Sequence, residues 1–188
     1  MRDNLSISPW IQRLLHLVPE GGLVLDLAAG GGRHTAWCLK RGHAVTALDR
    51  RIGDLELLKM ALGATKRSRL EIIQADLEDG SPWPLTDRRF DAVIVVNYLY
   101  RPLFPLLLAA LTPGGVLLYD TFAVGQEMYG RPSNPDFLLK PDELLTAVQG
   151  RLQIVAYEHG LIDDGEAPAV KQRIAAVNDG SRRALTAP

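Results

Sequence analysis

The sequence predicts an α/β fold: a doubly wound, seven-stranded sheet, mostly parallel, with an antiparallel hairpin at its C-terminal end. Three observations lead there. Apolar runs of strand length alternate with helical stretches over residues 23–121, and such alternation builds a parallel sheet with helices on both faces. Two more apolar runs, residues 152–157 and 169–177, follow without a helix between them; such a direct connection suits antiparallel strands. Finally, the first strand runs into three consecutive glycines, Gly30, Gly31 and Gly32. A turn of this kind borders the crevice at the carboxyl ends of the strands, where α/β proteins bind ligands.

In chain order, residues 1–22 read as an N-terminal helical extension. Ser8 can cap a short helix with Pro9 at its first position. Trp10, Leu14 and Leu17 recur at helical spacing, and Pro19 with Gly21 and Gly22 stops the element. This helix either covers a ligand pocket or simply packs on the sheet. Strand one spans residues 23–28, the following helix 33–41, and Gly42 ends it. Strand two is 44–48. Ile52, Leu55, Leu58 and Leu62 mark one face of the next helix. Strand three is 70–75, closed by Asp76, and residues 79–84 form a proline-rich loop. Strand four, 90–96, is a continuous apolar run, as expected of a strand buried on both faces. Residues 103–111 should be a helix, 112–115 a turn and 116–121 strand five.

Residues 122–140 carry no clean period. A connection this long inside a compact domain is usually functional or disordered, and Phe122, Met128, Tyr129 and Phe137 argue against simple disorder. The segment is expected to be an active-site lid. Pro141 then opens a helix with Asp142 and Glu143 in its first turn, where the helix dipole favours acids, and Gly150 closes it. The final hairpin is joined by an acidic loop containing Asp163, Asp164 and Glu166, and residues beyond Asn178 read as a frayed tail.

With 188 residues, the chain suits a single domain, 1–188. Its net charge of -1 gives no general attraction to nucleic acid or anionic membrane. The one cysteine, Cys38, has no internal partner, which suits a reducing, cytoplasmic setting; it reads as a small core residue. The N-terminus has no apolar signal region, and the longest greasy stretch, 103–111, is too short to span a bilayer. The four histidines are scattered without ligand spacing, so no metal is expected.

The glycines let backbone approach a ligand closely and take positive φ. Asp49, at the tip of the second strand, can accept hydrogen bonds from both hydroxyls of a ribose. Together they point to a nucleoside-containing cofactor. The dinucleotide fingerprint G-x-G-x-x-G is incomplete, because its third glycine position holds Thr35. Asp26 instead lies inside the first strand, four residues before Gly30.

The run Asp26-x-Ala28-x-Gly30-x-Gly32 resembles the first motif of class I S-adenosylmethionine (SAM) methyltransferases, with Ala28 where the family usually has glycine. The resemblance extends in order along the chain, through Asp49, Asp76-Leu77, the Phe90-Asp91-Ala92-Val93 strand and the LTPGGV turn beginning at Leu111. It implies a Rossmann-like fold and SAM as cofactor. It assigns Asp26 to the SAM ammonium, Asp49 to the ribose, and Asp76 with the Leu77 amide to the adenine, flanked by Arg50 and Ile52. Arg33 could meet the methionine carboxylate and the Asn97 carbonyl the ammonium. Each acid also has a plainer reading: Asp26 bonded to its turn, Asp49 a helix cap, Asp76 a turn organiser. Arg33 could equally be a surface residue.

Strand four ends in Asn97-Tyr98-Leu99-Tyr100-Arg101-Pro102, which departs from the N/D/S-P-P-Y/F of methyltransferases acting on DNA bases and protein amides. Together with the downstream GRPSNPDFLL it resembles small bacterial methyltransferases related to the tellurite-resistance type. This similarity narrows size and architecture more than chemistry; the expected acceptor is a small molecule or a metalloid. Methyl transfer needs alignment and exclusion of water more than a fixed base, so the catalytic residue stays open. Candidates are Tyr98, Tyr100, Glu127, Tyr129, Arg131 and His34, and each could equally serve packing. Two rival functions remain on the sequence: a SAM-binding protein without catalysis, and an NAD(P)-dependent oxidoreductase.

Overall fold

The computed structural model describes residues 6–163 and 167–179. Asp164, Glu166 and the tail beyond residue 179 lie outside the described residues. One seven-stranded sheet runs in the order β3-β2-β1-β4-β5-β7-β6. Its strands are β1 (Leu23–Leu27), β2 (Ala44–Asp49), β3 (Leu70–Gln74), β4 (Phe90–Val96), β5 (Leu111–Phe122), β6 (Gln153–Ile162) and β7 (Ala169–Val177). The first five are parallel, while β7 lies antiparallel to both β5 and β6.

Side-chain alternation along the strands divides the core into two layers. Leu25 and Leu27 of β1, with Val93 and Val95 of β4, face α5 (Phe104–Ala109) and α6 (Glu143–Val148). Val24, Val45 and Ile94 face α1 (Pro9–Leu14), α2 (Arg33–Lys40) and α3 (Gly53–Ala61). Trp10, Ile11 and Leu14 of α1 are almost wholly buried, so this helix packs on the sheet. Ser8 caps it as expected, accepting from the Ile11 N–H. No helix among the described residues is long and apolar enough to cross a membrane.

Four expectations need correction. The helix expected over 103–111 is a 3-10 turn followed by α5, which ends at Ala109; Ala110 already donates back to Leu106 O. Leu111 then opens β5 by pairing with Phe90. Residues 112–115 are not a turn before the strand but a bulge within it, because the register jumps from Phe90↔Leu111 to Ala92↔Val116. The bulge needs Gly115, since a Cβ there would meet Phe90 O and Thr112 O at 2.9 Å. Asp142 sits one residue before α6 in left-handed conformation (φ 58), and its carboxylate accepts from the Tyr157 hydroxyl at 3.2 Å. Finally, β6 continues to Ile162, carried by its ladder with β7. On the expected hydrophobic face of α3, only Leu55 is fully buried.

Candidate cofactor and acceptor site

The glycine turn owes its shape to three left-handed residues, Ala28 (φ 53), Gly30 (φ 55) and Gly32 (φ 77). Ala28, expected as the last residue of strand one, has already left it. Gly32 is needed for packing: a Cβ there would stand 2.7 Å from Leu55 Cδ2 and 2.8 Å from Leu58 Cδ2 of α3. Gly30 and Gly31 have nothing within 4 Å of an added Cβ, so their surface is open to a ligand.

A cavity of about 450 Å³ opens at the carboxyl ends of the strands. Ala28 lines it after β1, Asp49 and Arg50 at β2, Asp76 and Leu77 after β3, and Asn97 and Tyr98 after β4. Thr121 and Phe122 of β5 form another wall, and Pro132 and Phe137 reach it from the segment expected to be a lid. Asp49 Oδ2 accepts from the Gly30 N–H at 2.8 Å and Oδ1 from the Arg51 N–H at 2.9 Å. The carboxylate is thereby fixed at the mouth. Each oxygen keeps a lone pair for a ligand. Asp76 Oδ1 accepts from the Glu78 N–H at 3.0 Å, the turn-organising contact.

Other sequence candidates lie apart from this cavity. Asp26 is 2% exposed and accepts from the Thr35 hydroxyl at 2.6 Å. Burial pushes its carboxyl up to about 6, although the Thr35 hydrogen bonds oppose the shift. Arg33 Nη1 donates to Ser6 O at 2.7 Å and so holds the N-terminal extension. His34 is buried, and burial pushes its pKa down to about 3. It is therefore neutral at working pH, and its Nε2 accepts from the Ser8 N–H at 3.3 Å. Tyr100 lines a neighbouring cavity with Trp83 and Pro84. Glu127 accepts from the Gly125 N–H and does not line the cavity, while Tyr129 is exposed. Arg131 lines a shallow surface depression. Ile52 does not line the cavity, whereas Arg50 does. Burial raises the Cys38 thiol, in keeping with a core residue.

Tyr98 is the catalytic candidate that the cavity retains. Burial, and next the neighbouring Glu78 carboxylate, push its phenol above the usual range. It therefore stays protonated at working pH, suited to donating a hydrogen bond rather than taking a proton. Glu78, Pro132 and Lys171 were not singled out from the sequence. Lys171 left a signal: Lys171, Gln172 and Arg173 interrupt an otherwise apolar strand.

The buried Asp26 carboxyl has a consequence for stability. Its folded pKa of about 6 lies above the ordinary value of 3.8. The favourable contribution is therefore complete below about pH 4 and is lost as pH rises through 6. Asp26→Asn keeps the shape and an oxygen for Thr35 but removes the ionisable group. It should stabilise the fold at pH 8 by about 1–3 kcal/mol, with the gain vanishing near pH 4. Urea melts at both pH values measure this; an equal effect at both would refute it.

Residues 24–115 match the methyltransferase domain family. That stretch, just under half of the chain, carries the methyltransferase domain. Among solved structures, this methyltransferase is similar in fold to the glycopeptide N-methyltransferase MtfA complexed with (S)-adenosyl-L-homocysteine, at 22% identity and TM-score 0.63, over 87% of this chain and 86% of that one. It is also similar to TehB from Haemophilus influenzae, at 15% identity and TM-score 0.68, over 86% and 59%. A third likeness is to 1,6-didemethyltoxoflavin-N1-methyltransferase from Burkholderia thailandensis, at 19% identity and TM-score 0.64, over 90% and 76%. None of the curated proteins compared with this methyltransferase matches it.

Proposed function

We propose that this methyltransferase binds SAM across the tips of β1 to β4 and methylates a small organic acceptor held against Tyr98, Phe122 and Phe137. The observation that carries the reading is the convergence of Asp49, Asp76 and Asn97, from three successive strand tips, on one cavity beside the open Gly30 surface. Asp49 takes the ribose hydroxyls on its two remaining lone pairs. Asp76 and the Leu77 amide face the adenine, with Arg50 along its side. The Asn97 carbonyl meets the ammonium. Asp26 acts through Thr35 on the glycine turn.

SAM supplies a methyl carbon on a cationic sulfur; the acceptor's lone pair bonds to that carbon in line while the C–S pair leaves onto sulfur. The chain's task is to align the acceptor and keep water out. The aromatic wall favours a flat organic acceptor over a metalloid oxyanion. MtfA and the toxoflavin enzyme are both named as N-methyltransferases, which supports a small-molecule acceptor here.

Calorimetry with S-adenosylhomocysteine (SAH) and with NAD tests the cofactor. SAH should bind and NAD should not. Turnover of labelled SAM with a metabolite extract tests catalysis; NAD binding without a response to SAH would end this reading.

A further inference from the structure

Beneath the cavity wall runs a buried line of alternating charges. Lys171 of β7 is 6% exposed, and its ammonium stands 3.3 Å from Asp120 Oδ1. Asp120 is fully buried; it also faces Arg173 Nε at 3.3 Å and accepts from the Ser8 hydroxyl at 2.6 Å. Arg173 leads on to Glu158 at 3.7 Å, and Glu158 pairs with Arg13 at the surface. Burying such a line costs desolvation, and apolar replacements of similar volume are often neutral or stabilising. Fold stability alone is thus a poor account of it.

Its inner end touches the cavity wall. Lys171 Nζ donates to Asn97 Oδ1 at 3.1 Å and lies 5.2 Å from the centroid of the Phe122 ring. Both residues line the cavity. Asn97 is in left-handed conformation, with its N–H on Asp120 O at 2.8 Å. Its side-chain amide could in principle present either its oxygen or its nitrogen to a ligand. An ammonium only donates, so Lys171 claims the oxygen. The amide nitrogen remains, exposed at the wall and without a protein partner among the described residues.

We propose that Lys171 orients the Asn97 amide so that its nitrogen donates to the methyl acceptor, selecting acceptors with an oxygen or nitrogen lone pair there and rejecting cationic ones. Lys171 is a positioning residue and Asn97 the residue that touches the acceptor. The positive charge behind Asn97 and Phe122 adds to the discrimination against cations. The proposal rests on the cavity being the cofactor and acceptor site.

Two probes of one shape test it on SAH-loaded protein: benzamide, which presents an oxygen lone pair, and benzylammonium chloride, a cation that only donates. Binding is read from the backbone and side-chain amide resonances of uniformly nitrogen-15-labelled protein. Wild type and Lys171→Arg should favour benzamide by about tenfold or more, the scale of one hydrogen bond to a suitably placed group. Lys171→Met frees the amide to turn over, and its preference should fall to about threefold or less with SAH affinity unchanged. Asn97→Asp keeps the left-handed conformation, presents only acceptors and should reverse the preference; it decides the matter if Lys171→Met does not fold. An unchanged preference in Lys171→Met and Asn97→Asp, or no preference or binding of either probe by wild type, overturns the inference. Failure of wild type to bind SAH would instead overturn the cofactor reading beneath it.

Discussion

Asp49→Ala should weaken SAM and SAH binding at least tenfold while leaving the melting temperature of the ligand-free protein almost unchanged. The carboxylate has two calls on it. It accepts from the Gly30 and Arg51 N–H groups, at 2.8 and 2.9 Å, and both contacts are exposed. Water can replace it there, so the stability change should stay within about 0.5 kcal/mol, as for other exposed sites. For a protein of this size that is about 2 °C or less. The ribose contacts are different in kind. Hydrogen bonds to a charged group contribute about 1.5–3 kcal/mol each, and each 1.4 kcal/mol is about tenfold in affinity. Removal also releases the Gly30 amide, so the open face of the glycine turn loses its preset shape. Asp49→Asn should fall between, because its amide oxygen can serve one N–H while its NH₂ opposes the other. Calorimetry with SAH and thermal melts without ligand measure the two effects separately. A large loss of ligand-free stability with unchanged SAH affinity would reduce Asp49 to a turn-organising acid.

The fold was legible because its signals are local and redundant. The β1, β2 and β4 runs are mostly apolar since both sheet faces are covered, and the short connection from β6 to β7 suits the antiparallel pair that they form. The misread stretches are those where tertiary pairing overrides local chemistry. Thr112-Pro113-Gly114-Gly115 has turn chemistry, and Gly114 takes a turn-like φ of 79, yet the neighbouring β4 draws it into a bulged strand. The meeting of Asp49, Asp76 and Asn97 at the proposed cofactor half of the site was legible for a related reason. A strand tip is a fixed place in a parallel sheet, so an acid there has a predictable neighbour. The acceptor half was not. Phe137 and Lys171 reach the wall from residues distant in sequence, and no spacing rule connects them to Asn97. Met128 and Tyr129, the apolar residues expected to cover the acceptor, are 77% and 48% exposed and do not line the cavity.

That last difference moves the expected lid to residues 131–137. The segment after β5 is pinned at both ends. On one side the Gln126 side chain accepts from the Val170 N–H at 2.8 Å. On the other, the Arg101 guanidinium donates to Asp136 O at 2.7 Å and Leu138 O at 2.9 Å, and pairs with Glu143 at 2.6 Å. Gln126 is therefore an anchor, and deleting it would injure β7 rather than test a lid. The part that meets the cavity is Pro132 and Phe137. Phe137 remains 45% exposed, an aromatic surface that an acceptor and closure would cover together. Replacing residues 131–137 with a glycine–serine segment of equal length should lower turnover of labelled SAM with active extract by about 10²-fold, the cost of losing alignment. SAH affinity should change little, since Asp49, Asp76 and the glycine turn are untouched. Stability should also hold, because the buried Leu138 and Leu139, at 2% and 0% exposure, are retained. Limited proteolysis of wild type gives the second readout: cleavage within 131–137 should slow when SAH and extract are both present, as for a lid that closes over bound ligands. If the replacement instead melts early with turnover falling in proportion to folded protein, or if ligands leave cleavage unchanged, the segment is a cover for the sheet and the acceptor is enclosed by Tyr98 and Phe122 alone.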